Sequence, residues 1–334
     1  MIIRLHYLLL LFLTACSAAG PVGPVARGES PLVWPASPEP ARIQLEYSFS
    51  NPQDLGLEKS LFSKLLDWFA GADEERMQRP YSIAVNGDKI VVADPGSSIV
   101  HVFDLRGKKY RRISRVGNED LLAPVGVALG GDQLFISDSK LNRVFILDQS
   151  LKLVKVLGDF QRPTGLAYDL DRNRVYVADT LAHQVKVFNR NGSLLFTIGN
   201  RGEGDAYFNF PTHLVFADDR LFVNDTMNFR IQIFRYDGQH LTTFGKAGDA
   251  TGSFGQAKGI AIDADGNVYI ADALANRVQI FNQAGIFLLD FGEYGSSPGS
   301  FQLPAGLSVW GDKVYVADSL NGRVQVFRYL GGND

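Results

Sequence analysis

One repeated unit limits what this chain can fold into. Gly259 to Phe281, GIAIDADGNVYIADALANRVQIF, shows it in a single copy. Gly259 to Asp263 is a short apolar run, and Asp265-Gly266-Asn267 is a tight-turn signal, because Asp and Asn tolerate positive φ and Gly adopts it freely. Val268 to Ala271 is a second β-branched and aromatic run, closed by Asp272; Arg277 to Phe281 is a third and Phe287 to Phe291 a fourth. Four strands of about five residues joined by short polar turns, with no helix between them, predict one small antiparallel sheet.

The acidic residue that closes the second strand recurs as Asp94, Asp138, Asp179, Asp225, Asp272 and Asp318, spaced 41 to 47 residues apart. A second signal gives the same count. Apolar Met77, Leu121, Phe160, Phe208 and Phe301 stand three positions before Pro80, Pro124, Pro163, Pro211 and Pro304, and Phe254 keeps the pattern with Ala257 in place of Pro. A period of this length marks a solenoid, a propeller or an array, and it occurs six times.

The third-strand segments ADALANRVQIF, ADSLNGRVQVF and NDTMNFRIQIF, with connectors GKAGDATGSFGQA and GEYGSSPGSFQLP, resemble NHL repeats over roughly residues 80 to 330. The resemblance implies an all-β fold, a six-bladed β-propeller, and points to bacterial lipoproteins of that type. Units one and three depart from it, since GSSIVHVF and LAHQVKVF lack the Asn-x-Arg element.

The N-terminus points to export. Arg4 supplies a positive start, and Leu5 to Leu13 an apolar run too short to span a bilayer. Leu13-Thr14-Ala15-Cys16 then matches the bacterial lipobox, which implies cleavage after residue 15 and acylation of Cys16. Cys16 is the single cysteine of the 334 residues, so no disulfide forms within the chain. Several acyl chains on one residue anchor stably where one would not. The expected location is therefore the cell envelope; Ser17, rather than Asp, favours the outer membrane if the source is diderm. Residues 16–42 carry Pro21, Pro24, Pro31, Pro35, Pro38 and Pro40 among Ala, Gly and Ser, and read as a semi-extended tether.

Residues 43–76 bridge tether and repeats. Ile43 to Phe49 alternates like a strand, whereas the last unit ends after its third strand, Arg323 to Phe327. A blade without its outer strand would leave an open edge, so Ile43 to Phe49 is expected to close the last blade of the propeller at 77–334. Glu58 to Ala70 reads as one short amphipathic helix before blade one, with Leu57, Leu61, Leu65 and Trp68 on one stripe. Packing across a propeller face is one role for it, and docking to a partner or membrane another.

Net charge is −3, and no excess of clustered Lys and Arg marks a nucleic-acid surface. The six repeat aspartates fall one per blade and read as structural, as do Arg143, Arg230, Arg277 and Arg323, each five residues beyond one of them and within reach of it. Asp263-Ala264-Asp265-Gly266-Asn267 opens like a calcium loop, but Leu274 stands where the bidentate Glu belongs. Gly295-Ser296-Ser297-Pro298-Gly299 satisfies G-x-S-x-G, yet Pro298 offers no N–H for an oxyanion. Among relatives of this resemblance, the peptidyl-amidoglycolate lyases bind zinc through histidines at the central cavity. Here only His213 opens a first strand; His101, His183 and His240 fall elsewhere in their units. No metal or catalytic residue is assigned on that basis.

Unevenness at the start of the first strands points to a binding site. Gly126, Gly165, Gly259 and Gly306 occupy one position in four units, with Ser82 and His213 in the others; the preceding residues are Tyr81, Val125, Thr164, Thr212, Lys258 and Ala305. Tyr81, Thr212, His213 and Lys258 are therefore the candidate ligand-binding residues, drift on a solvated surface being the alternative reading. The expected function is a monomeric, lipid-anchored binding or scaffolding module for an envelope protein, peptide or glycan. The competing readings are a lyase or lactone hydrolase with Ca²⁺ or Zn²⁺ in the central channel, and an extracytoplasmic ligand sensor.

Overall fold

The computed structural model describes residues 31–57 and 75–331. The leader, Cys16, the tether up to residue 30 and the helix expected over Glu58 to Ala70 lie outside the described residues.

The described chain is a six-bladed all-β propeller. Blade 1 is Ser82–Asn86, Lys89–Asp94, Ile99–Asp104 and Lys109–Ile113. Blade 2 is Pro124–Gly130, Gln133–Asp138, Arg143–Leu147 and Leu153–Leu157, and blade 3 is Pro163–Asp169, Arg174–Asp179, Gln184–Asn189 and Leu194–Ile198. Blade 4 is Pro211–Ala217, Arg220–Asp225, Arg230–Arg235 and His240–Phe244; blade 5 is Ala257–Ile262, Val268–Asp272, Arg277–Phe281 and Phe287–Phe291. Blade 6 is Pro304–Trp310, Lys313–Asp318 and Arg323–Tyr329, completed by Ile43–Phe49 from the other end of the chain. That strand runs antiparallel to the third, from Ile43 opposite Tyr329 to Phe49 opposite Val324, and seals the ring as the missing fourth strand required. Val33–Trp34 adds a fifth strand outside it, and Trp34 packs its ring 5.8 Å from Phe327 and 6.0 Å from Phe291. The tether expected to reach residue 42 therefore ends earlier, because the exposed edge of Ile43–Phe49 and an apolar notch take up these residues.

The core lies between blades. Buried side chains from adjacent sheets form a cluster at each junction, and the apolar residue before each first strand plugs one of them: Met77, Leu121, Phe160, Phe208, Phe254 and Phe301. This explains the spacing from Pro, which fixes the chain at the turn into the inner strand.

The six repeat aspartates are fully buried, and each holds the connector leading into its own inner strand. Asp94 accepts from the N–H groups of Gln78 (2.7 Å) and Arg79 (2.9 Å), Asp179 from Gln161 and Arg162, and Asp272 from Gly255 and Gln256. Burial alone would push the Asp94 carboxyl up; the His101 imidazole 3.5 Å away and hydrogen bonds from the N–H groups of Gln78, Arg79 and Ser97 outweigh it and hold the pKa down at about 2. Arg230 and Arg323 reach Asp225 and Asp318, both at 2.8 Å. Arg143 and Arg277 do not follow that pattern: they pair with Glu119 and Asp290, because nearer carboxylates on the connector and the outer strand intercept them. The turn at Asp263 is a hairpin whose carboxylate accepts from the N–H of Asp265 and Asn267, with Gly266 at φ +80°.

Candidate functional site

The six inner strands stand around a central channel, each touching its two neighbours. Four of the six junctions are closed by glycine. A Cβ at Gly306 would lie 2.7 Å from the Tyr81 carbonyl, and one at Gly126, Gly165 or Gly259 would run into the carbonyl of Thr164, Thr212 or Ala305. The other two junctions carry a side chain, Ser82 between blades 1 and 2 and His213 between blades 4 and 5, and there the inner strands touch less extensively. Polar groups bridge these two junctions. Ser82 Oγ accepts from the N–H of Val127 (3.3 Å), and Asn224 Nδ2 donates to the carbonyls of Ala257 (2.6 Å) and Lys258 (2.9 Å).

The four candidate residues converge at the end of the channel where the inner strands begin. Tyr81 and His213, from opposite blades 1 and 4, face each other across it with ring centroids 5.5 Å apart. Lys258 from blade 5 sets its Nζ 5.2 Å from the centre of the Tyr81 ring, a cation–π arrangement. Thr212 holds the imidazole: its Oγ1 is 3.0 Å from His213 Nδ1 and 2.7 Å from Thr226 Oγ1. In blade 3, Thr164 Oγ1 donates to the Thr212 carbonyl (3.0 Å), and Thr180 Oγ1 donates to that of Pro211 (2.8 Å).

This end of the channel holds polar capacity that the fold does not use. His213 is buried, yet its Nε2 has no hydrogen-bond partner, and neither has Asn224 Oδ1. Burial, with the Lys258 charge adding to it, drives the His213 pKa down to about 3, so the ring is neutral at pH 7. Burial lowers that of Lys258 as well. The Tyr81 hydroxyl is raised by burial, against the nearby charge of Arg162. A neutral imidazole, an ammonium and a phenol can together hydrogen-bond and charge-pair with a ligand group.

The far half of the channel differs. It is a cavity of about 270 Å³ lined by the later residues of all six inner strands, among them Val85, Leu129, Val215 and Ile262, with Ser308 as a polar exception.

Among the described residues, the other three histidines have partners elsewhere. His101 Nδ1 lies 2.7 Å from the Tyr110 hydroxyl, His183 Nδ1 accepts from the N–H of Phe210 (3.2 Å), and His240 Nε2 lies 2.9 Å from Thr243 Oγ1. Among the described residues no group of three His, Cys, Asp or Glu side chains is placed to hold a metal ion. Sequence reasoning missed Asn224, Thr226 and Arg162. A signal for Asn224 was present, because it interrupts a position that is Ala93, Ala178, Ala271 and Ala317 in other units.

Comparison with known proteins agrees with this architecture. A family model for the NHL repeat matches residues 160–188 and 301–327, and one described as a 6-bladed beta-propeller matches 207–287. The brain tumor protein of Drosophila melanogaster is 28% identical over 137 residues, which are 39% of this chain and 13% of that protein. Among solved structures, virginiamycin B lyase from Staphylococcus aureus, with quinupristin, is similar with a TM-score of 0.57 at 12% identity, covering 75% of this chain and 94% of the lyase. A Bacteroides thetaiotaomicron protein of unknown function gives 0.58 at 13% identity, covering 77% of this chain and 70% of that one. Hydrazine synthase of Kuenenia stuttgartiensis gives 0.56 at 13%, covering 76% and 96%. At such identities the likeness is one of fold.

Proposed function

We propose that this propeller is a binding or scaffolding module that takes a protein or peptide partner at the mouth bordered by Tyr81, Thr212, His213 and Lys258, and that acyl chains on Cys16 hold it at the cell envelope. One observation carries the binding site: side chains from blades 1, 4 and 5 gather at one mouth and keep unspent polar capacity there, in His213 Nε2 and the Lys258 ammonium. Folding alone has no use for it, and a buried polar atom left unpartnered costs stability. A rigid ring of blades suits such a role because it presents its loops with little left to order on binding. The match of residues 160–188 and 301–327 to the NHL repeat supports the same reading. Among the described residues no trio of ligands assembles around His213, which is the arrangement the enzyme alternative calls for.

Cross-linking in the native envelope, followed by identification of the attached protein, tests the module. The double variant Lys258→Met/His213→Gln is expected to lose that adduct while keeping its far-UV circular dichroism; normal capture would refute the site. Radiolabelled palmitate is expected to enter the wild type and not Cys16→Ala, and labelling that survives the substitution would refute the anchor. One tightly held Zn²⁺ or Ca²⁺ per purified chain would turn the reading towards an enzyme.

A further inference from the structure

The mouth has a sign and a shape that go beyond the four central residues. Two stretches of each unit border it: the residues entering the inner strand, and the turn after the second strand. Across the six units, the carboxylates in these stretches are the buried repeat aspartates, Asp94, Asp138, Asp179, Asp225, Asp272 and Asp318, each committed to the backbone of its connector or to its own turn. The same stretches carry Arg79, Lys140, Arg162 and Lys258, and among the described residues none of these four lies within ion-pair distance of a carboxylate. Surface charges of both signs return farther out, with Glu203, Asp205, Asp249 and Glu293 beside Arg201 and Lys246 on connectors that lie over the third strands. A chain of net charge −3 thus presents an inner mouth whose uncommitted charges are cationic. A field of that form draws an anion to the centre of the face.

The second feature is apolar. The residue two places after the repeat aspartate is Leu181, Met227, Leu274 and Leu320 in blades 3 to 6, and these side chains are 43%, 51%, 61% and 46% exposed. Blade 2 has Lys140 there and blade 1 has Gly96. Four large apolar side chains at one repeat position, in consecutive blades and on one face, form a crescent rather than scattered exposure. Arg79, Lys140 and Arg162 lie on blades 1 to 3, and Lys258, from the same blade as Leu274, reaches over the Tyr81 ring of blade 1. Charge complementarity selects the occupant. Lipid or hydrocarbon would satisfy the crescent and leave the cations idle, whereas a nucleic acid would engage the cations and meet leucines where its phosphates continue.

We infer that this mouth binds an extended segment of a partner protein in which acidic side chains alternate with apolar ones. Arg162 and Lys258 pair with a carboxylate at the centre, His213 Nε2 completes its hydrogen bonding, and Leu181, Met227 and Leu274 take the apolar neighbours. This rests on the reading of the mouth as the binding site and adds the chemistry of what it reads.

The test uses the full mature chain in detergent and three fluorescein-labelled, terminally capped peptides of alternating Leu and Glu, Leu and Gln, or Leu and Lys, with binding followed by polarisation. The Leu/Glu peptide is expected to bind, the Leu/Gln peptide about tenfold more weakly or less, in keeping with the loss of charge-assisted hydrogen bonds, and the Leu/Lys peptide not at all. Arg162→Gln and Lys258→Met are each expected to weaken the Leu/Glu peptide about tenfold and to flatten its salt dependence. Met227→Ser/Leu274→Ser should weaken the Leu/Glu and Leu/Gln peptides alike, and unchanged circular dichroism establishes that the variants fold. Equal affinity for Glu and Gln peptides, with binding still lost in Met227→Ser/Leu274→Ser, would overturn the anion reading while leaving the mouth a docking site. Binding indifferent to every one of these substitutions would overturn both. Failure to bind any peptide, or preference for a single-stranded RNA oligonucleotide over the Leu/Glu peptide, would overturn the proposed ligand.

Discussion

The junctions between inner strands come in two kinds, and the contrast separates scaffold from site. At the four glycine junctions, backbone lies against backbone and no Cβ fits; the glycines at 126, 165, 259 and 306 are there for close approach. At the junctions of Ser82 and His213 a side chain wedges the strands, and Ser82 and Asn224 bridge the gap with hydrogen bonds. The glycine junctions make the ring close. At the His213 junction a side chain stands where glycine would allow that close approach, and its ring meets Tyr81, which Lys258 overlies. Departure from the repeat thus has a physical consequence, and that consequence lies at the proposed site.

The comparison can be broken most forcibly at a glycine. Gly306→Val would press its side chain onto backbone of blade 1 and is expected to cost about 4 kcal/mol or to prevent folding, read by equilibrium urea unfolding. A cost under about 1 kcal/mol would mean that the junctions are not close-packed.

The His213 wedge should give the protein a pH dependence of its own. The folded pKa of about 3 lies below the ordinary value of 6.5, so the unfolded chain takes up a proton before the folded one does. The His213 contribution is therefore complete above pH 6.5 and is lost as pH falls towards 3, on the order of 3 kcal/mol by pH 4. His213→Gln should remove that slope. Parallel stability curves for variant and wild type between pH 6.5 and 4 would show that the ring is not buried as described.

Asn224→Ala removes the bridge to Ala257 and Lys258 and is expected to cost about 2 kcal/mol, since two carbonyls lose their donor. It should also weaken partner capture by loosening Lys258, and a fully stable variant with normal capture would contradict the bridging role. The smallest change should be Ser82→Gly, which turns a wedged junction into a glycine one at a cost of about 1 kcal/mol or less. A larger loss in urea unfolding would mean that the Ser82 hydroxyl does more than accept from Val127.

The sequence disclosed most of the fold because a propeller blade is a local object. Turn residues, alternation and the repeat aspartate all lie within one unit, and the closing strand followed from counting strands. The interactions that escaped are those between units or between competing partners. Nothing within the unit of Arg143 or Arg277 indicates that Glu119 and Asp290 lie nearer than the repeat carboxylates. The repeat glutamines were also passed over. Gln232 and Gln325 bind the aspartate of their own unit, and each accepts from a connector N–H, Ala206 or Gly299. His101 and Lys186, seven residues after Asp94 and Asp179, stand at that glutamine's place and meet the same carboxylate, at 3.5 Å and 3.0 Å. The candidate site was legible as uneven substitution at the first-strand entrance. That Tyr81 and His213 face each other across the axis was not, because only the closed ring brings blades 1 and 4 together.

The most direct test of the central claim, that the wedged mouth is where this propeller meets its partner, is site-specific photo-cross-linking in the native envelope. A benzophenone amino acid would replace Leu274 at the mouth or, in a second variant, Leu288 on the outer strand of the same blade, which is 50% exposed. A discrete protein adduct from position 274, absent from position 288 and abolished by adding Lys258→Met, is the predicted result. The same adduct from both positions, or from 288 alone, would contradict it.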